Sequence, residues 1–179
     1  MHKILLIGQP INKNRKGLVG GGGGYVRNMR VYLEYFQGDD CNVIPCFHTS
    51  RKEYGNSIFS KIFRLIIDFK IIFLSIIKNK PDGIHIMAQY RDAMPREVMY
   101  TILAKLFKKP LLYEIKAGAF INSYLDRSSV YKILVKYILL NSKIVIVEGK
   151  KYIEFIDKTF HTNSYYFPNI VPDNEIPPV

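Results

Sequence analysis

Five apolar runs too short to be helices recur along this chain, with a helical pattern between each pair: Lys3 to Ile7, Asn42 to Phe47, Ile84 to Met87, Leu111 to Ile115 and Lys143 to Val147. A short run that is apolar almost throughout is the mark of a strand buried on both faces, and such strands belong to parallel sheets. Between and after them, helices are expected at Tyr25 to Phe36, Ile58 to Lys80, from Pro95 to a last turn closed by Lys108 and Lys109, from a Ser128 or Ser129 cap through Leu139, and from Lys151 to Asp157. Alternation of this kind predicts an α/β chain, a Rossmann-like three-layer sandwich with a mostly parallel sheet. Pro45 is the weak point of the second run, because proline cannot donate to a ladder. A length of 179 residues suits one well-filled core. We therefore read residues 1–167 as one domain and 168–179 as a linker, the whole tail from Tyr165 onward holding four of the nine prolines and no helix pattern, so that it reads as linker-like.

The most unusual stretch is Gly20-Gly21-Gly22-Gly23-Gly24, which runs straight into Tyr25, Met29, Tyr32, Leu33 and Phe36 at helical spacing. Read as a loop, the glycines leave backbone N–H groups uncovered next to the N-terminus of a helix, where an anion is favoured. A phosphate or sugar phosphate is the natural guest; the bland alternative is a surface loop that binds nothing. Two familiar phosphate motifs fail. In the dinucleotide fingerprint the third glycine position is Tyr25 or Val26, and residues 9–16 make the first turn too long. The second strand is followed by His48, Arg51 and Lys52 rather than by an acid for a ribose hydroxyl. A P-loop requires Gly-Lys-Ser/Thr where this chain has Gly24-Tyr25.

Charge narrows the partners. With 26 Lys and Arg against 15 Asp and Glu, the net charge is +11, which attracts nucleic acid, anionic lipid or phosphorylated ligands. No zinc-finger spacing, RNP-type aromatic motif or basic region with heptads is present, so nucleic acid is not expected. An anionic membrane surface or a phosphate-bearing ligand fits better. In the segment Ile58 to Lys80, Arg64, Asp68 and Lys70 interrupt the apolar run, so a spanning helix is not expected. Core packing is the first reading of that helix. Its Lys61, Arg64, Lys70, Lys78 and Lys80 beside Phe59, Phe63, Phe69 and Phe73 also suit a membrane surface on another face. Two cysteines, Cys41 and Cys46, form neither a metal pattern nor a disulfide framework, and the start lacks signal-peptide features. A cytoplasmic protein, peripheral on the inner membrane face, is expected.

In a parallel sheet the ligand crevice lies beyond the carboxyl ends of the strands. Gln9, Pro10, His48, Gln89 to Asp92, Lys116 to Phe120, Glu148 and Gly149 fall there, with Lys116 to Phe120 read as a loop. Arg27 on the first helix is a solvated or phosphate-facing cation, and Arg91 holds an acceptor phosphate or a surface ion pair. Glu148 faces the cleft or caps the next helix, and His85, inside a strand, reads as a packed core histidine.

Taken in order, the glycine stretch with Tyr25-Val26-Arg27-Asn28-Met29, then Pro81-Asp82-Gly83-Ile84-His85, Pro110 to Ile115, Ile144 to Glu148 and Phe167-Pro168-Asn169-Ile170-Val171 resemble the N-terminal domain of family 4 retaining GT-B glycosyltransferases. The resemblance covers essentially the whole chain. It implies the acceptor-binding half of an enzyme that moves a sugar from a nucleotide-sugar donor to a glycan or lipid-linked acceptor in surface polysaccharide biosynthesis. It also implies a separate C-terminal donor-binding domain, which has no counterpart in residues 1–179, so the chain alone is expected to be inactive. No cofactor and no metal are implied, the nucleotide sugar being a substrate. By the same resemblance Gly20, Gly21, Gly22, Gly23 and Gly24 lie at the cleft, and Tyr25, Arg27, Asn28, Arg91, Gly118 and Glu148 are the further cleft candidates that their places in the chain suggest. Lys116 stands where many members carry a histidine at the reaction centre, and as a donor-only cation it suits a phosphate or sugar hydroxyl. The alternative is a non-catalytic, membrane-associated subunit that recruits a donor-binding partner chain.

Overall fold

A computed structural model describes residues 1–9, 21–38, 40–49, 54–55, 57–89, 91–116 and 118–169, with the backbone alone at 21–24 and 91. Its strands are β1 (His2–Gly8), β2 (Cys41–Phe47), β3 (Gly83–Ala88), β4 (Leu111–Ile115), β5 (Ile144–Val147) and β6 (Ser164–Tyr166). They form one all-parallel sheet in the order β2-β1-β3-β4-β5-β6. The helices are α1 (Gly21–Tyr35), α2 (Ile58–Asn79), α3 (Met94–Leu106), α4 (Phe120–Asp126), α5 (Ser129–Leu140) and α6 (Lys150–Phe160), with a 3-10 turn at Arg91–Ala93.

The alternation of buried side chains along each strand divides the core in two. On one face α1 sets Tyr25, Met29 and Tyr32 against Leu6, Val43 and Met87. On the other, Ile72 and Ile76 of α2, Tyr100 and Leu103 of α3, Ile138 of α5 and Ile156 of α6 pack on the opposite sides of β1, β3, β4 and β5. The result is a Rossmann-like three-layer sandwich, as the alternation of runs predicts. Burying an aliphatic or aromatic side chain contributes roughly 1.5–3 kcal/mol, and the second face holds most of this material. β2 is an edge strand, so Pro45 sits where a missing donor costs no ladder bond. Gly8, the last residue of β1, has no room for a side chain, since a Cβ there would stand 2.1 Å from the Tyr25 hydroxyl oxygen and 2.4 Å from the Met29 methyl.

Local signals set the boundaries. Ser57 caps α2 by accepting from the Ser60 amide at 3.1 Å, and Lys80 ends it in the left-handed region at φ 47°. Of the two candidate caps for α5, Ser128 is the one used, accepting from the Tyr131 amide.

Three expectations need correction. Gly21–Gly24 form the first turn of α1 rather than a loop before it. Each glycine costs a helix roughly 1 kcal/mol relative to alanine, and the anchoring of Tyr25, Met29 and Tyr32 on the sheet offsets this. The Lys116 to Phe120 loop gives way at Phe120 to α4, whose Phe120 is buried against Tyr152 and Phe155. Tyr165 and Tyr166, read as part of a linker-like tail, belong to β6 and pair with Ile146 and Val147. Residues 170–179 of the expected linker lie outside the described residues. Among the described residues, no helix is long and apolar enough to cross a membrane.

Candidate functional site

Strand order reverses at β1, whose neighbours β2 and β3 lead the chain to opposite sides of the sheet. A crevice at the carboxyl ends of β1 and β3 follows from that reversal. Gln9, just past β1, donates from its side-chain amide to Oε1 of Gln89, just past β3, at 3.0 Å. The Gln9 backbone amide donates to the Tyr25 hydroxyl, which ties the first turns of α1 to the same point. Burial pushes the Tyr25 pKa up, so this hydroxyl stays neutral.

Beside the crevice stands a polar chain that runs from the core to the surface. Its inner end is Glu114 on β4, which is fully buried. His85 Nε2 lies 2.9 Å from Glu114 Oε2, the Tyr32 hydroxyl donates to that oxygen at 3.1 Å, and Lys116 Nζ pairs with Oε1 at 2.9 Å. Burial alone would raise the Glu114 pKa; the His85 hydrogen bond and charge, then the Lys116 ammonium, outweigh it and bring it down to about 2. Lys116 also donates to Asn169 Oδ1 at 3.2 Å, and Asn169 Nδ2 donates to Glu148 Oε2 at 3.0 Å. A Cβ on Gly118 would lie 3.9 Å from Glu148 Oε1, and Tyr152 donates to the Gly118 carbonyl. Carboxylate, lysine, asparagine and carboxylate thus alternate outward from β4 to the ends of β5 and β6.

Two further buried acids brace the rim. Asp68 of α2 accepts the Thr49 amide at 2.7 Å and Arg96 Nη1 at 3.2 Å, and Arg96 also donates to the Thr49 carbonyl at 3.2 Å. Glu97 of α3 accepts the Gln89 amide at 2.7 Å and the Tyr113 hydroxyl at 2.5 Å. The ends of β2 and β3 are therefore held by carboxylates from the helix layer. His48, buried at the end of β2, lies with Nδ1 3.1 Å from the Thr49 carbonyl, which requires a proton on Nδ1. Burial first, then the Arg96 charge, lowers its pKa to about 3, so the ring is neutral at pH 7.

The structure brings Lys116, Gly118 and Glu148 together through Asn169 and Tyr152. Tyr25 joins Gln9 and Gln89 at the switch point, and Tyr32 of the same helix reaches Glu114, so the two groups share one rim. Arg27 is half-buried on α1, and Asn28 is fully enclosed. Arg91 opens the 3-10 turn after β3, its side chain lying outside the description, and Gly20 lies outside the described residues. Glu114, Asp68, Glu97, Arg96 and the linking role of Asn169 escaped the sequence reading. The available signal was a lone carboxylate inside an apolar element, as in Leu111-Leu112-Tyr113-Glu114-Ile115.

Chemically, the rim offers amide donors and acceptors, a cation and a carboxylate, the set that grips a hydroxyl-rich or phosphorylated ligand. Among the described residues, no group of three or more His, Cys, Asp or Glu is placed to hold a metal ion. No protein-family model and no curated protein sequence matches this chain.

Proposed function

We propose that this chain is the acceptor-binding half of a retaining glycosyltransferase, one that moves a sugar from a nucleotide-sugar donor to a glycan or lipid-linked acceptor. The observation that carries the reading is the hydrogen-bonded chain Glu114–Lys116–Asn169–Glu148 at the carboxyl rim, beside the β1–β3 switch point. In this role Lys116, on exchanging its bond to Asn169 for one to the ligand, donates to a sugar hydroxyl or phosphate. Glu148 accepts from a second hydroxyl, and the Gln9 and Gln89 amides orient the ring. Glu114 is a positioning residue that holds the ammonium in place. Transfer itself needs a donor-binding partner domain to close the other side of the cleft.

The test is a calorimetric titration of the chain with oligosaccharide and lipid-linked sugar acceptors, and separately with UDP- and GDP-hexoses. The reading predicts acceptor binding that Glu148→Gln weakens about tenfold, equivalent to 1.4 kcal/mol, with negligible turnover. Tight binding of the nucleotide sugars without any acceptor binding, or robust transfer by this chain alone, would overturn it.

A further inference from the structure

Within the helix layer, α2, α3 and α5 turn a surface to solvent that is apolar and whose charges are all basic. Along α2, Phe59, Phe63, Ile66, Lys70, Leu74 and Ile77 recur at steps of three and four, which places them in one row. Asp68, Ile72 and Ile76 form the buried row opposite. The outer row is open to solvent, Phe59 at 81 % exposure and Ile66 at 61 %. Exposed Ile102 and Leu106 on α3, and Val130, Ile133 and Leu140 on α5, continue it across the layer, since α3 packs against both α2 and α5. Single exposed apolar residues are ordinary; a contiguous sheet of them across three helices marks a contact surface.

Charge identifies the partner. The three helices contain two acids, Asp68 and Glu97, and both are buried. Every charge these three helices show to solvent is therefore a cation, including Lys61, Lys70, Lys78, Lys105 and Lys136, while the exposed acid Glu154 lies on α6 beyond them. Long basic side chains interspersed with phenylalanine and isoleucine suit an interface where the stems lie in apolar surroundings and the ammonium groups reach upward. We propose that the α2–α3–α5 layer docks on an anionic lipid bilayer, with Phe59, Phe63 and Ile66 entering the acyl boundary and the lysines meeting lipid phosphates. Such docking stands whether or not the chain serves sugar transfer. α2 follows β2 and α3 follows β3, so both helices begin at the rim that carries the candidate site.

The experiment is co-sedimentation of the chain with vesicles of phosphatidylcholine, with and without phosphatidylglycerol. Binding is expected only with the anionic lipid and is expected to fall with added salt. Lys70→Glu/Lys78→Glu is expected to weaken it by about tenfold or more, whereas Lys3→Glu/Lys143→Glu, with equal charge change elsewhere on the surface, leaves it within about twofold. Phe59→Ser/Phe63→Ser, at exposed positions that leave the core intact, is expected to abolish binding even at low salt. Equal binding to neutral and anionic vesicles, or equal loss in both lysine pairs, would overturn the proposal. So would a dimer in sedimentation that Phe59→Ser/Phe63→Ser dissolves while vesicles bind neither protein, since the face would then cover a second copy.

Discussion

Glu114 and His48 couple this fold to pH in the same direction but over different windows. His48, lowered to about 3 from an ordinary 6.5, binds a proton in the unfolded chain before it does so in the folded one. Its contribution is complete above pH 6.5 and drains away as pH falls towards 3. Glu114, lowered to about 2 from 4.5, contributes above pH 4.5, and that contribution is lost as pH falls through 2. Stability should therefore decline from about pH 6.5 downward and more steeply below 4.5, His48 accounting for about 5 kcal/mol over its full window and Glu114 for about 3 kcal/mol. Denaturant unfolding across pH 3–7 checks this. His48→Asn is expected to flatten the profile between 6.5 and 4.5. Glu114→Gln, which leaves Lys116 without its counter-charge, is expected to cost about 3 kcal/mol at pH 7, with the gap closing in acid. Profiles that superimpose on the wild type would contradict both assignments.

Among the elements, α1 is the one held by anchoring rather than by propensity. Its first turn is glycine, it has no acid there, and Tyr25, Met29 and Tyr32 fasten it to the sheet. Gly24→Ala should raise stability by roughly 0.5–1 kcal/mol, measured by thermal unfolding, because alanine prefers the helix that glycine tolerates; a loss of stability would return the glycines to a loop. The five longer strands were legible because each is an apolar run bounded by turn residues, and Pro81-Asp82-Gly83 placed β3 to within a residue. β6 was not, because Ser164-Tyr165-Tyr166 is three residues with a polar start and gains its place only from β5. α4 is two turns long and shows no period until Phe120 is seen packed on α6. At the rim, Gln9, Gln89, Lys116 and Glu148 could be placed by counting from strand ends. The pairing of Lys116 with Glu114 could not, because alternation alone does not tell which face of β4 meets α1.

Over the whole molecule, the carboxyl end of the sheet and one helix layer carry the features that core packing does not require. Glu97 and Asp68, buried acids of that layer, fix the ends of β3 and β2. The sheet's opposite face contributes Tyr32 and the α1 N-terminus to the same rim. A net charge of +11 draws anionic or phosphorylated partners toward both surfaces. The central claim is that ligand is taken at the carboxyl rim between β1 and β5. Its most direct test is a map of backbone amide shifts in an isotope-labelled sample titrated with a glycan or lipid-linked sugar acceptor. The account predicts that the largest changes fall at Gly8, Gln9, Gln89, Lys116, Gly118 and Glu148. Changes confined to the opposite end of the strands, at Lys3, Asp82 and Lys143, would contradict it.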